Sequence, residues 1–352
     1  MGLSSFFAAF GARPTGDRLA RAQRSPQFRD GTFQNPIETR ALVGGWGNAL
    51  KRQFGKEQRV PPGPLPVLTR QPSDFATPPR SGLRVTWFGH STTLIEIDGH
   101  RVLVDPVWCN RVSPSQTFGP KRFHPPPMPL HIMPKLDAVI LTHDHYDHLD
   151  MYAVQTIVRS VTQEKVPFIT ALGVGAHLDK WDVPASRIVE LDWWETKQVG
   201  RLTIGAGSAR HFSGRGLSRN HTLWAAWSIL GPTHRVFHSG DSGEFDGFAE
   251  NGRRYGPFDL TLIKIGAYDE SWPDIHMNPE QAIRAHSLVQ GKFFVPIHRG
   301  TFNLAFHAWD EPADRVVAAA QAAGVPFAVP KPGEMVEPAT PPKLEPWWKG
   351  VR

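Results

Sequence analysis

A chain of 352 residues, 40% hydrophobic and 20% charged, has the composition of a soluble globular protein and the length for one large domain or two small ones. No apolar run approaches the roughly 18 residues a transmembrane helix needs, and a single cysteine, Cys109, excludes an internal disulfide and any cysteine-rich zinc module. The net charge of +6 suits an anionic partner such as a phospholipid headgroup. Without a zinc knuckle, an RNP-like aromatic motif or a long Lys/Arg run, nucleic acid is not favoured.

The first residues, "MGLSSFFAAFG", are apolar but short and lack a basic leader, so they read poorly as a signal peptide. Phe6 also stands where a myristoylation signal needs Ser or Thr. The expectation is a cytoplasmic protein, with peripheral membrane contact through this apolar start admitted. Residues 1–82 are rich in Arg, Pro, Gln and Gly, with "VPPGPLP" and "ATPPRSG", and read as an arm and linker without a core of their own. Regular patterns begin at Leu83. "LRVTWFGH", "TLIEIDG" and "RVLVDP" are three β-type runs separated by Gly-containing turns, a meander. Further strands are expected at Leu136–Leu141, Val166–Thr170, Arg187–Leu191, Leu202–Ala206, Leu223–Leu230, Val236–His238, Leu260–Ile265 and Phe293–Ile297. Helices are expected at Leu149–Ser160, Asn278–Leu288 and Pro312–Ala323, the second opening on a capping Asn278 and Pro279. A meander followed by strand–helix alternation argues one α/β domain on two sheets over residues 83–335, with 336–352 as a tail.

"ILTHDHYDHLD", Ile140 to Asp150, puts three histidines and three aspartates directly after the apolar run "LDAVIL". A loop leaving the carboxyl end of a strand is where α/β folds collect chemistry. His143, His145, Asp147 and His148 are therefore candidate metal ligands, and Asp144 reads as a turn residue. One motif cannot close a two-metal site. His211 after "TIGAGSAR", Asp241 in "VFHSGDSG" and His298 ending "KFFVPIH" each follow a strand in the same manner. With Asp241 shared, the seven supply four ligands to each of two ions. Imidazole and carboxylate donors suit Zn²⁺, with Fe or Mn as alternatives. Asp105, ending "VLVDP", is placed to hydrogen-bond a ligand imidazole from behind. The tryptophans of "ELDWWE" and "LWAAW" (Trp193, Trp194, Trp224, Trp227) read as core packing, with an acyl groove as the alternative.

These stretches, together with "WFGHST", "SPSQTFGPKRFH", "LWAAWSILGP", "RYGPFDLTLIKIGAYDE" and "NPEQAIRAH", resemble the metallo-β-lactamase fold superfamily. Within it they resemble the N-acylphosphatidylethanolamine-hydrolysing phospholipase D family, from about Leu83 to about Gly300. The resemblance implies an αββα sandwich with a dinuclear zinc site at one edge. One ion would sit on His143, His145 and His211, the other on Asp147, His148 and His298, and Asp241 would bridge. His276, in "PDIHMNPE", matches a histidine near the substrate phosphate, although the polar residue that precedes it in the family is Ile275 here. His90 matches a residue that supports the centre. Asp147 and His276 are the implied catalytic residues, Asp147 through orientation of a metal-activated water. His145 stands where redox di-iron members carry a carboxylate, which implies hydrolysis. The implied activity is a zinc-dependent phosphodiesterase, turning N-acylphosphatidylethanolamine-like phospholipids into N-acylethanolamine and phosphatidic acid. A homodimer is admitted, and a hydrolase of another ester class, such as a lactone, is the alternative.

Overall fold

The computed structural model describes residues 3–43 and 56–351. The arm contributes helices α1 (Leu3–Ala9) and α2 (Gly16–Gln23) and a small hairpin, β1 (Phe28–Arg29) and β2 (Thr32–Phe33), none of which its Arg/Pro-rich composition predicts. The meander then appears as β3 (Leu83–Gly89), β4 (Thr92–Ile97) and β5 (His100–Val104), antiparallel throughout. β6 (Ala138–Leu141), β7 (Phe168–Ala171) and β8 (Ile188–Leu191) extend it in parallel, separated by α3 (Met151–Arg159) and α4 (Gly175–Lys180).

The second sheet starts with β9 (Thr196–Val199), β10 (Leu202–Gly207), β11 (Ala226–Leu230) and β12 (Arg235–His238), all antiparallel. Helix α5 (Gly247–Tyr255) leads to β13 (Leu260–Lys264), and α6 (Pro279–Leu288) to β14 (Phe294–Ile297), both parallel to β12. Helix α7 (Glu311–Ala322) follows, and β15 (Met335–Val336) returns to pair with β3. The sheets are thus seven strands, β15-β3-β4-β5-β6-β7-β8, and six strands, β14-β13-β12-β11-β10-β9.

The layers follow from the period of two along each strand. In β5 and β6, Val102, Val104, Ala138 and Ile140 join the core shared with Trp227, Ile229 and Leu262 of the other sheet. Their neighbours Leu103, Val139 and Leu141 face the opposite way, onto Val154 and Ile157 of α3 and Leu178 of α4. Both faces are covered, so these strands carry continuous apolar runs with no alternation to polar residues. On the six-stranded side, Ala282 and Ala285 of α6 and Val316 of α7 close the outer face. This is the αββα sandwich expected above. Trp193, Trp224 and Trp227 are buried in it, the first two donating their indole N–H to the Trp224 and Ala209 carbonyls.

Several predicted strands begin one to three residues late, Leu223–Leu230 by the most. Leu223–Leu230 shortens to β11 at Ala226 because the Leu223 and Ala225 amides bond the Leu172 and Thr142 carbonyls of the other sheet's loops. Those bonds fasten the two sheets together at the edge where the histidines collect.

Candidate metal centre

The motif loop leaves β6 and is gripped from behind. Asp105, fully buried just past β5, accepts from the Thr142 backbone N–H at 2.8 Å, the Thr142 hydroxyl at 2.8 Å and His148 Nδ1 at 2.7 Å. The Thr142 hydroxyl proton is spent on Asp105, so its oxygen accepts from His143 Nδ1 at 3.0 Å. His211 Nδ1–H donates to the Ile275 carbonyl at 3.0 Å. In each case the Nδ1 bond fixes the tautomer and leaves Nε2 with its lone pair turned inward, as metal-ligating imidazoles require. The expectation that Asp105 orients an imidazole is met in His148.

Two groupings result. His143 Nε2 lies 2.9 Å from His145 Nδ1, which lies 3.2 Å from His211 Nε2. The second grouping surrounds two carboxylate oxygens. Asp147 Oδ2 is 3.4 Å from His148 Nε2 and 3.3 Å from His298 Nε2. Asp241 Oδ2 is 3.3 Å from His148 Nε2, 2.9 Å from His298 Nε2 and 3.8 Å from His211 Nε2, so it faces both groupings. Each set has the size of a coordination shell: ligands at ~2.0–2.2 Å from one zinc stand a little over 3 Å apart. All seven residues named from the sequence are brought together.

The electrostatics point the same way. Burial would raise the Asp147 and Asp241 carboxyls, but the His148 and His298 imidazoles outweigh it and hold both well below the usual range. Burial, reinforced by neighbouring imidazoles, holds His143 and His211 well below the ordinary value, hence neutral and able to ligate. Burial would also lower His148, but Asp241, Asp147 and Asp105 outweigh it and raise it well above the ordinary value. A cation in the pocket would relieve that excess negative charge. The buried Nε2 of His148, Nε2 of His298 and Oδ1 of Asp241 have no hydrogen-bond partner among the described residues. Buried polar atoms in that state are costly unless something ligates them. The donor set therefore fits divalent metal.

Local backbone serves this edge. A register shift lies between Trp87 and Gly89 in β3, directly before the buried His90. His90, Asp105 and His298 all hold positive φ, of 51°, 44° and 59°, which is uncommon for residues with a side chain. Gly240 (φ 55°) precedes Asp241, and a Cβ there would stand 2.7 Å from the Ala225 carbonyl oxygen. His90 Nε2–H donates to Asp147 Oδ2 at 2.9 Å, and burial pushes this imidazole down to about 3. Its carbonyl receives the His298 amide at 2.8 Å, so His90 braces one residue from each side of the second grouping.

The three aspartates of the motif separate by task. Asp147 joins the grouping. Asp150 caps α3 through the Tyr152 amide at 2.9 Å. Asp144 turns away, accepting from Gly214 N–H at 2.7 Å and His177 Nε2–H at 3.2 Å. It is a buried anchor for the loop, where the sequence reading had only a turn residue.

His276 stands at the mouth, its side chain 14% exposed, two residues before the capping box in which Asn278 and Gln281 exchange side-chain and backbone bonds. Two functional positions escape sequence reasoning. Lys264, the last residue of β13, is fully buried and places Nζ 2.7 Å from His276 Nδ1. Its signal was a lysine inside the apolar run "LTLIKIG". Asn35, from the arm, bonds the His211 backbone twice, and nothing in its surroundings marks it.

Beside the second grouping, a cavity of 690 Å³ is lined by Arg59, Lys121, Phe123, Trp272, Leu304 and Phe306. Arg59, Asn303 and Leu304 also line the recess that reaches His90 and His298. Of the basic "GPKRFH" segment only Lys121 presents charge outward. Arg122 is buried, donating to the Cys109 and Val107 carbonyls, and burial lowers it to about 10.

Residues 100–299 match the family model described as Beta-lactamase superfamily domain. The chain is 48% identical over 355 residues to an uncharacterized protein of Mycobacterium tuberculosis, covering 97% of this chain and 92% of the relative. It is 37% identical over 272 residues to N-acyl-phosphatidylethanolamine-hydrolyzing phospholipase D 1 of Caenorhabditis elegans, covering 74% of this chain and 75% of that enzyme. An isothiocyanate hydrolase from Delia radicum gut bacteria superposes with a TM-score of 0.57 at 19% identity, over 72% of this chain and 98% of its own, a likeness of fold alone. With its family matched across more than half its length and a buried His/Asp constellation at the sandwich edge, the chain belongs to the metallo-β-lactamase superfamily and is one of its metal-dependent hydrolases.

Proposed function

We propose that this hydrolase is a phosphodiesterase acting on N-acylphosphatidylethanolamine-like phospholipids, releasing N-acylethanolamine and phosphatidic acid. The observation that carries the reading is the 37% identity, over 272 residues, to the Caenorhabditis elegans enzyme named for that substrate. The cavity supports it: cationic Arg59 and Lys121 beside aromatic walls suit an amphiphile with an anionic group.

Two divalent cations held by His143, His145, His211 and by Asp147, His148, His298, with Asp241 facing both, would supply Lewis acidity and an acidified water at neutral pH. Zinc suits the donors, and iron or manganese would satisfy them also. The chain's own groups do the rest. Asp147 would help hold one cation with the oxygen that faces His148 and His298, and its other oxygen would orient a water. His90 keeps Asp147 in place. His276 meets the substrate phosphate, and Arg59 and Lys121 draw the anion in.

The test is a product screen on zinc-, iron- and manganese-loaded protein. Micellar N-acylphosphatidylethanolamine and a lactone are offered separately, and products are identified by mass. Release of N-acylethanolamine with phosphatidic acid is expected. Lactone opening with no phosphodiester cleavage would overturn the assignment.

A further inference from the structure

A lysine buried to 0% exposure at a strand end needs an explanation, because taking an ammonium out of water is costly unless it is fully engaged. Lys264 Nζ donates to the Gly266 carbonyl at 2.6 Å and reaches His276 Nδ1 at 2.7 Å. An ammonium has no acceptor capacity, so the second bond has one direction: Lys264 donates and Nδ1 accepts. The imidazole must then carry its own proton on Nε2. That nitrogen has no hydrogen-bond partner among the described residues and belongs to the ring at the mouth of the site. The same bond engages the His276 atom nearest Asp241 Oδ2, at 3.7 Å, although His276 stands close enough to His211 and Asp241 for the three to share an ion.

We propose that Lys264 is the positioning residue that makes His276 a proton donor to the departing oxygen of the substrate, and that the two residues form a relay. This rests on the phosphodiester reading above. As the bond from phosphorus to the leaving oxygen breaks, its electron pair stays on that oxygen, which takes the Nε2 proton. Nδ1 takes a proton from Lys264, leaving a neutral amine and a neutral imidazole. Water restores the proton after product departs. A neutral imidazole alone is a poor acid, since its loss of Nε2–H would leave an anion in a buried site. Lys264 removes that obstacle.

The experiment compares Lys264→Met with the unaltered, metal-loaded protein on two phosphodiesters, one with an alkoxide leaving group and one with p-nitrophenolate. An alkoxide must be protonated to leave and p-nitrophenolate need not be. The expected result is a loss of about a hundredfold in kcat on the alkyl ester, as for loss of a general acid. KM and metal content should stay unchanged, and the p-nitrophenyl ester should lose no more than a few-fold. Ethylammonium should restore part of the alkyl activity to Lys264→Ala. Equal losses on both esters, or none on either, overturn the relay. If the variants do not fold, ¹⁵N NMR of the unaltered holoprotein decides: a proton on His276 Nε2 supports the proposal, and one on Nδ1 overturns it. That NMR result is independent of substrate, so failure of the unaltered protein to cleave any phosphodiester would count against the proposed function and leave the lysine question decided separately.

Discussion

The carboxamide of Asn35 clamps the backbone of His211: its Nδ2 donates to the His211 carbonyl at 2.7 Å and its Oδ1 accepts the His211 amide at 3.0 Å. A side chain 176 residues away in sequence thus mimics a strand partner for a candidate ligand beyond the end of β10. Asn35→Ala should loosen the His143/His145/His211 grouping without touching any donor atom. Partners of this kind are worth roughly ten- to a hundredfold in metal affinity. Competition with a chelator should show one weakened ion and one unchanged; two ions held as tightly as before would contradict the clamp.

Two equivalents of metal per chain are expected. Seven donors are too many for one tetrahedral zinc, and they divide into two groupings facing a common carboxylate. Elemental analysis of protein purified without chelator checks this. A fully active protein with a single equivalent would rule out a dinuclear centre.

Asp241→Asn should cost more activity than His276→Ala. Asp241 Oδ2 faces both groupings, so losing its charge disturbs both ions at once. His276 contributes through the substrate, and removing one hydrogen bond to a charged group costs about 1.5–3 kcal/mol, roughly ten- to a hundredfold. Rates are compared at equal metal content. Equal rates would mean that Asp241 does not bridge.

Acid sensitivity should also arise away from the centre. His286 on α6 is buried beside Thr261 Oγ1 at 2.7 Å, and burial pushes it down to about 4. The unfolded chain therefore takes up this proton first as pH falls below about 6.5, so ν is larger in the unfolded state and stability rises with pH between about 4 and 6.5. In that window the group steepens the dependence by roughly 1.4 kcal/mol per pH unit. Urea titrations of metal-loaded protein should show a shallower slope for His286→Gln than for the unaltered chain.

Membrane contact is best tested at one side chain. Phe7 is 61% exposed on α1, and Phe118 is 61% exposed beside Lys121. Two weak anchors, apolar and cationic, make peripheral binding stable. Deleting Met1 to Gly11 would be a poor test, because the Ala8, Ala9 and Gly11 carbonyls receive bonds from Trp181, Arg215 and Lys180. Arg215 also donates to the Asp144 carbonyl inside the metal motif. Phe7→Ser should lower sedimentation with anionic vesicles, more so at high salt, and spare turnover of micellar substrate. Unchanged sedimentation would leave Phe7 without a membrane role.

The sandwich strands were legible because burial on both faces leaves unbroken apolar runs such as "LDAVIL", and the seven donors because each directly follows such a run or lies a few residues beyond it. What escaped depends on tertiary contact. β9, "TKQV", is polar and largely exposed, and is a strand only through its pairing with β10. α5 carries a glycine at Gly252, packed within 2.6 Å of the Leu288 carbonyl for any added Cβ, which masks its helical character. Asn35 reads as any turn asparagine until the chain folds back onto His211. Lys264 passes unremarked inside the predicted strand Leu260–Ile265, because nothing local shows that its side chain meets His276.

Each grouping of ligands takes members from both sheets. His143 and His145 follow β6 while His211 follows β10; Asp147 and His148 follow β6 while Asp241 and His298 follow β12 and β14. Ions held there would be rivets through the seam of the sandwich. Their binding energy would be shared with the closure of one sheet on the other, since a site assembled only in the folded state couples metal affinity to folding. Chelation would then act as a mechanical release: the strands would keep their ladders while the seam at the open edge slackened.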